Sequence, residues 1–424
     1  MEPFEPCSNT YIILCKNSYL IVVVIIMYIH YVFLILVILL FVIYAYIKIK
    51  YKFWSIQPVF HFYDLQWYLF PCGIIMHELP EKNKYCNFRD IETLQFDSVK
   101  PHQLSRFIHF IQSHYLQNKE NKFLPSKENI VPYFTSHNSP CFFTFYNTDE
   151  LNDTTNNGVV QDTKIISVMT SRPLHVCINN GNNDAIFDVY YVDYLCVDKG
   201  YRKKGIAPEI IQTHEYNQRI LNQKIKVSLF KREDELTGII PLCVYKTHGF
   251  DISNWKNPPT LPIQCSLIEI GKVNFHHLMD FIKIKQADFD IAITMEFSNL
   301  MELIKTQNIY CYVIIENDVV VSAYFFKKTC TYIKDKKEAV VCFASINTTK
   351  DDMIFINGYK NALCKICKKN TQYKFGFIED ISNNNIIIQN LMIKNTPFIT
   401  SPTAFFFYNF AYSVFKSEKC LLLY

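Results

Sequence analysis

The stretch DYLCVDKGYRKKGIAPEII, residues 193–211, decides the reading of this 424-residue chain. A strand ends at Val197, a basic turn follows, and Gly205 with Ala207 opens a helix whose first-turn N–H groups have no partners within the helix. Such a place binds phosphate. Small residues let the backbone approach a pyrophosphate, the helix N-terminus favours negative charge, and Arg202, Lys203 and Lys204 supply cations. A basic turn before a helix is more often a solvated loop, so the elements around it must decide.

Working outward, strands and helices alternate, and their order occurs twice. CFFTFYN (141–147) and TKIISVMTS (163–171) read as two strands, VYYVDYLCV (189–197) as a third, residues 207–221 as a helix and KIKVSLF (224–230) as the next strand. The second half repeats this. IYCYVIIE (309–316), the turn Asn317-Asp318 and VVVSAYFF (319–326) form a hairpin; AVVCFASIN (339–347) is the third strand, residues 353–369 a helix and YKFGFIE (373–379) the following strand. Between the halves lies NPPTLP (257–262), whose adjacent prolines interrupt both helix and ladder. The reading is an α/β (α+β) fold of two tandem halves with pseudo-twofold symmetry, residues 48–262 and 263–424, preceded by residues 1–47. In the repeat, SINTTKDDMIF carries two aspartates where the first half has its basic turn, so only the first half is expected to hold a cofactor.

Residues 17–47 contain no Asp, Glu, Lys or Arg and exceed the ~20 apolar residues that span a bilayer, so they read as one transmembrane helix rather than a cleaved signal or a core helix. Lys48, Lys50 and Lys52 follow it and only Lys16 closely precedes it, which places the rest of the chain in the cytosol as a single-pass membrane protein. The 15 cysteines are scattered, with Cys364 and Cys367 the only close pair, so neither a disulfide framework nor a zinc site is spaced out and no metal is expected. A net charge of +4 gives no case for nucleic acid.

The spacing Arg-x-x-Gly-x-Ala after a strand is the one that acetyltransferases of the GNAT type use for coenzyme A. More specifically, the chain after residue 50 resembles the glycylpeptide N-myristoyltransferase family, built from two GNAT-like halves. YKFWSIQPV (51–59) is similar to that family's Phe-Trp-x-Thr-Gln-Pro-Val opening; YLCV (194–197) with YRKKGIAP (201–208) is similar to its Phe-Leu-Cys-Val and Leu-Arg-Ser-Lys-Arg-Val-Ala-Pro. FFFYNF (405–410) with EKCLLLY (418–424) is similar to its closing segment.

The resemblance implies myristoyl-CoA as co-substrate, held by Tyr51, Lys52, Phe53, Trp54, Cys196, Val197, Arg202, Lys203, Lys204, Gly205, Ile206, Ala207 and Pro208. It implies transfer of myristate to the N-terminal glycine of proteins, with the backbone N–H groups of Tyr194 and Leu195 stabilising the oxyanion and the α-carboxylate of Tyr424 as base. Burial among Leu421, Leu422 and Leu423 would raise that carboxylate's proton affinity. The alternative account of the apolar end is a final β-strand completing a sheet, which the upstream matches make the weaker one. Tyr115, Tyr245 and Asn409 are the implied peptide contacts. There are departures. The family's early acidic loop is here YLQNKENKFL (115–124), mixed in charge; its Tyr-Trp-His-x-Ser-Leu-Asn is VYKTHGFD (244–251), and its Asn-Ala-Leu-Asp is FIED (377–380). Cofactor binding reads as retained and peptide recognition as remodelled. Competing readings are another GNAT-type N-acyltransferase with a shorter acyl chain or a different amine, and an inactive anchored module that binds acyl-CoA or lipidated proteins.

Overall fold

The computed structural model describes residues 9–69, 73–116, 121–154, 158–179, 181, 184–233, 238–333 and 337–424. They form two compact units, Met1–Gln57 and Pro58–Tyr424. The first is built on helix α1, Asn9–Lys50, followed by a short 3-10 turn, Trp54–Ile56. At 1.5 Å per residue, α1 is long enough to cross a bilayer. Its side chains are exposed at every position from Ile25 to Tyr44, in keeping with a candidate span over Ile25–Lys50.

In the second unit helix α2, Pro101–His114, precedes the first-half strands β1 (Phe142–Thr154), β2 (Gly158–Ile178) and β3 (Ala185–Val197), helix α3 (Ile206–Leu221), and strand β4 (Val227–Glu233). Strand β5, Cys243–Asp251, and the short strand β6, Ile291–Thr294, follow. The second half is the hairpin β7 (Ile309–Glu316) and β8 (Val319–Ile333), then β9 (Lys337–Asn347), helix α4 (Asp352–Lys369) and β10 (Tyr373–Glu379), with β11 (Ile399–Tyr408) and β12 (Cys420–Leu422) closing the chain. The strands predicted at 309–316 and 373–379 have those bounds. The hairpin turn falls on Asn317 and Asp318, both with positive φ, the conformation a tight hairpin needs and Asn and Asp accept.

All these strands join one 15-stranded sheet. Its centre runs β4, β11, β5, β10: the strand that follows the first half, β5, pairs with β10 of the second, and β11, which follows the second, pairs with β4 of the first. Each half therefore ends against a strand drawn from beyond the other. Helices α3 and α4 are the parallel crossovers of the two halves, joining β3 to β4 and β9 to β10. Helix α4 lies close on its sheet because residue 358 is glycine; a Cβ there would come within 2.4 Å of Ile314 Cδ1 and Tyr324 Oη. The Tyr324 hydroxyl uses that approach to donate to the Phe355 carbonyl at 2.6 Å.

The apolar chain end is both packed and a strand. β12 pairs in parallel with β6, Leu423 N–H donates to the Ile293 carbonyl at 2.7 Å, and Leu421, Leu422 and Leu423 are buried. At ~1.5 to 3 kcal/mol for each buried leucine, an upper estimate, this short strand is strongly held.

Candidate active site

Strand β3 is where the sheet is opened. Val168 pairs with Cys196 and Thr170 with Asp193, so Met169 alone opposes both Tyr194 and Leu195. This is a β-bulge, and Tyr194 sits in it at φ +46°, a region that non-glycine residues occupy at a cost. The ring of Tyr194 is held among Phe107, Tyr115, Phe123 and Phe134, at centroid distances of 5.5 to 6.4 Å, and this packing pins the strained backbone. Leu195 is 36% exposed, although it lies on a central strand.

On its other edge β3 pairs with β4 only over Val189–Val192. Beyond that point β4 continues to Glu233 against β11, while residues 193–197 of β3 have no ladder partner on that side among the described residues. A wedge opens between two parallel strands, with backbone polar groups along one wall.

At the end of this wall stands the basic turn. Gly205, at φ +83°, is the residue before α3, and Lys203 also takes a positive φ of +63°; the two left-handed residues turn the chain into the helix. Arg202 donates to the carbonyls of Val197 (3.3 Å) and His114 (3.1 Å), tying the turn to the end of α2. Asp198 accepts from Gly200 N–H at 2.8 Å and lies 3.8 Å from Lys164. Lys203, Lys204 and Gly205 are exposed, and Ile206, Ala207 and Pro208 form the half-buried first turn. Cys196 is buried with its thiol pushed up to about 12 by burial.

The second half has the same plan with the wedge filled. β9 pairs with β10 only as far as Cys342, and the turn after β10 then inserts its side chains. Ser345 N–H donates to Ser382 Oγ (3.1 Å), Ser345 Oγ to Asn384 Oδ1 (2.6 Å), and Asn347 N–H to Asn383 Oδ1 (2.8 Å). At the start of α4, Asp351 caps Met353 N–H at 2.8 Å, so a carboxylate already occupies the position a phosphate would take.

Beside the open wedge lies a cluster of charges that the sequence reading missed. Glu379, at the end of β10 and 3% exposed, accepts from Lys231 Nζ at 2.8 Å, from Tyr245 Oη at 3.0 Å and from Tyr424 Oη at 3.0 Å. Lys231 Nζ also donates to Tyr424 Oη at 3.0 Å. Burial works against the Lys231 charge, but Glu379 and its neighbours more than offset this and hold its pKa above the usual value. The Tyr424 ring packs on Tyr191, Phe343 and Phe405. Nearby, fully buried Arg172 pairs with Asp193 at 3.0 Å, and Lys327 lies over the rings of Tyr133 and Tyr424 at 4.8 and 5.2 Å. Burial pushes Lys327 down to about 8; Arg172 and Lys231 add to the fall, and Asp193 and Glu379 resist it. A charged residue set inside an apolar strand, as in AYFFKKTC or ISVMTSRPL, was the available signal.

The implied site residues thus fall in several places. Tyr194, Leu195, Cys196, Val197 and the basic turn line one wedge, and Tyr245 and Tyr424 share Glu379. Tyr115 packs on Tyr194 from the end of α2. Asn409 is fully buried, at φ +64°, and its amide is engaged by the backbone: it accepts from Met76 N–H (2.7 Å) and donates to the carbonyls of Met76 (2.9 Å) and Lys226 (3.0 Å). That geometry is a clamp on the chain. Tyr51, Lys52, Phe53 and Trp54 belong to the first unit, where Phe53 is buried and meets Trp54 edge-on at 5.1 Å. The loop 115–124 lies partly outside the described residues. Among the described residues no group of three or more His, Cys, Asp or Glu side chains is gathered as for a metal ion, and the described cysteines are free.

Two α/β halves, each with a parallel strand pair that splays beside a crossover helix, define the tandem GNAT-like N-acyltransferase fold. Two crystal structures of Saccharomyces cerevisiae N-myristoyltransferase with bound myristoyl-CoA share it. One has TM-score 0.65 and 14% identity, covering 86% of this chain and 94% of the yeast chain; the other has TM-score 0.64 and 15% identity, covering 87% and 90%. Residues 77–243 match the family model Myristoyl-CoA:protein N-myristoyltransferase, N-terminal domain. Residues 77–243 are thus similar to the N-terminal domain of that family, in keeping with the resemblance read from the motifs. No curated protein matches the chain by sequence.

Proposed function

We propose that this protein transfers myristate from myristoyl-CoA to the N-terminal glycine of proteins. The observation that carries this reading is the open wedge of β3, bulged at Tyr194 and Leu195 and ending at a basic helix N-terminus. An extended thioester fits along the free strand edge, with its phosphates at Lys203, Lys204 and the first turn of α3 and its carbonyl at the bulge. The filled wedge and the capped helix of the second half support a single cofactor site, in residues 48–262, with residues 263–424 contributing the peptide side. Tyr51, Lys52, Phe53 and Trp54 are proposed as coenzyme contacts on the strength of the motif resemblance alone.

In the reaction the glycine nitrogen attacks the thioester carbonyl, the oxyanion is held by backbone N–H groups at Tyr194 and Leu195, and the C–S bond breaks to release the coenzyme thiol. The amine has a pKa of ~8 and must lose a proton to attack. We assign that proton to the α-carboxylate of Tyr424, whose ring is fixed by Lys231, Glu379 and three aromatic neighbours. Tyr115 and Tyr245 are proposed peptide-side residues. Helix α1 is proposed as a single-pass anchor, with Lys48 and Lys50 lying over Tyr44 and Tyr46 at its end and the enzyme facing the cytosol.

The test is transfer of labelled myristate from myristoyl-CoA to a panel of peptides beginning with glycine, with acetyl-CoA in parallel. Transfer from myristoyl-CoA alone supports the proposal. Transfer from acetyl-CoA in preference indicates a different N-acyltransferase, and binding of a myristoyl-CoA analogue without transfer to any peptide leaves an acyl-CoA-binding module.

A further inference from the structure

Three donors around the ring of Tyr133 lack acceptors. Arg172 is fully buried and its Nε is paired with Asp193, yet neither Nη1 nor Nη2 has a hydrogen-bond partner. The buried hydroxyl of Tyr133 itself also has none. Lys327 presents its ammonium to the same ring at 4.8 Å, and Arg172 lies 5.4 Å from it. No ion pair among the described residues joins Lys327 to a carboxylate, whereas Arg172 has Asp193 and Lys231 has Glu379.

Lys327 is half-buried, while Phe325 and Phe326, just before it on β8, are completely buried. Its ammonium lies beside the Tyr424 ring and within reach of the field of Asp193, next to the bulge. Buried donors without acceptors are costly, and an excess of cations in a low-dielectric site selects an anion.

We infer that Lys327, with Arg172 and Tyr133, forms a subsite for an acidic side chain, Asp or Glu, close behind the N-terminal glycine of the substrate protein. This rests on the transferase reading above and makes Lys327 a specificity-determining residue. Aspartate or glutamate there completes the hydrogen bonds that the folded protein leaves open. A lysine or arginine at that position is repelled.

The experiment measures kcat/KM for glycine peptides in which Glu, its neutral isostere Gln, and Lys are scanned through the positions after glycine. At one position Glu is preferred over Gln by about tenfold or more, equivalent to about 1.4 kcal/mol. In Lys327→Met that ratio falls towards one, and in Lys327→Glu the Lys peptide becomes the better substrate. Acyl-CoA binding by each variant reports that it is folded. Three results overturn the inference: no Glu-to-Gln preference in the parent, an unchanged preference in Lys327→Met, or an equal loss for Glu and Gln peptides, which would assign Lys327 to a main-chain carbonyl. Neutral peptides acylated without charge preference refute the subsite alone. No transfer to any peptide refutes the transferase reading and the subsite with it.

Discussion

Replacing Glu379 by Gln tests whether the charged cluster holds Tyr424 in place. The carboxylate accepts from Lys231 Nζ, Tyr245 Oη and Tyr424 Oη, all at 2.8 to 3.0 Å, and its side chain is 4% exposed. Gln keeps the shape but supplies one carbonyl and two N–H groups, so at least one donor turns to face a donor. The Lys231 ammonium, with 19% of its side chain exposed, loses its buried counter-charge and keeps, among the described residues, Glu233, at 4.0 Å and itself largely exposed. Hydrogen bonds to a charged group contribute ~1.5 to 3 kcal/mol each, and removing one partner of a buried pair costs ~3 to 5 kcal/mol; the residual exposure of Lys231 favours the lower end, about 3 kcal/mol.

Denaturant unfolding of residues 48–424 reads this directly, with acyl-CoA binding and peptide transfer measured on the same variant. Stability should fall by that amount, transfer should fall with the loss of Tyr424 placement, and acyl-CoA affinity should hold because the wedge and basic turn are elsewhere. The double variant Lys231→Met, Glu379→Leu removes both charges and should recover much of the stability but not the transfer. If Glu379→Gln costs less than about 0.5 kcal/mol, the level of an ordinary surface change, or if the double variant is no more stable than the single one, the pair is not the strut described.

Three further outcomes follow from the geometry. Lys203→Ala with Lys204→Ala should weaken acyl-CoA binding about tenfold or more by calorimetry, since charge-assisted contacts to phosphate are among the stronger hydrogen bonds, whereas Arg202→Ala should also loosen the turn because Arg202 is bonded to Val197 and His114. Burial raises the Glu215 carboxyl from 4.5 to about 7, so the folded state holds its proton more tightly; that stabilisation is complete below about pH 4.5 and lost as pH rises through about 7. Arg219 and Ser228 oppose the rise without cancelling it, and Glu215→Gln should flatten the slope of stability across that window. Extending the chain beyond Tyr424 with a tag, or deleting Leu423 and Tyr424, should abolish transfer while acyl-CoA affinity persists; parental rates would send the search for the base elsewhere.

The strand order of each half was legible because the strands of a covered sheet are long apolar runs bounded by turn residues; 309–316 and 373–379 could be read to the residue. The basic turn was legible for a related reason: phosphate chemistry demands cations, a glycine and a helix start within a few positions. The exchange of β5 and β11 between the halves was not, since nothing local in VYKTHGFD or SPTAFFFY says which edge it joins. Nor was the bulge, because Tyr194 is an ordinary strand residue by type and only the opposing register reveals two residues facing Met169. The cluster around Glu379 draws on Lys231, Tyr245, Lys327 and Tyr424, which are far apart in the chain, so no spacing announces it.

The two halves share one plan, and the wedge of the second is closed by its own side chains. In the second half a three-residue turn, Ser382 to Asn384, uses its side chains to satisfy the polar edge of β9, and Asp351 caps α4. Each bond replaces one that a ligand would otherwise make, so a ligand there would have to break protein contacts to gain its own. In the first half no side chain among the described residues bonds to the corresponding edge of β3 in this way, and α3 begins on Gly205, which has no side chain to cap it. Filling the second wedge brings a further gain. The same turn follows directly on β10, so closing it fixes the end of that strand, where Glu379 stands, and Asn384 Nδ2 donates to the Glu379 carbonyl at 2.8 Å. The turn that fills the second wedge thereby also steadies the carboxylate that accepts from Tyr424 Oη.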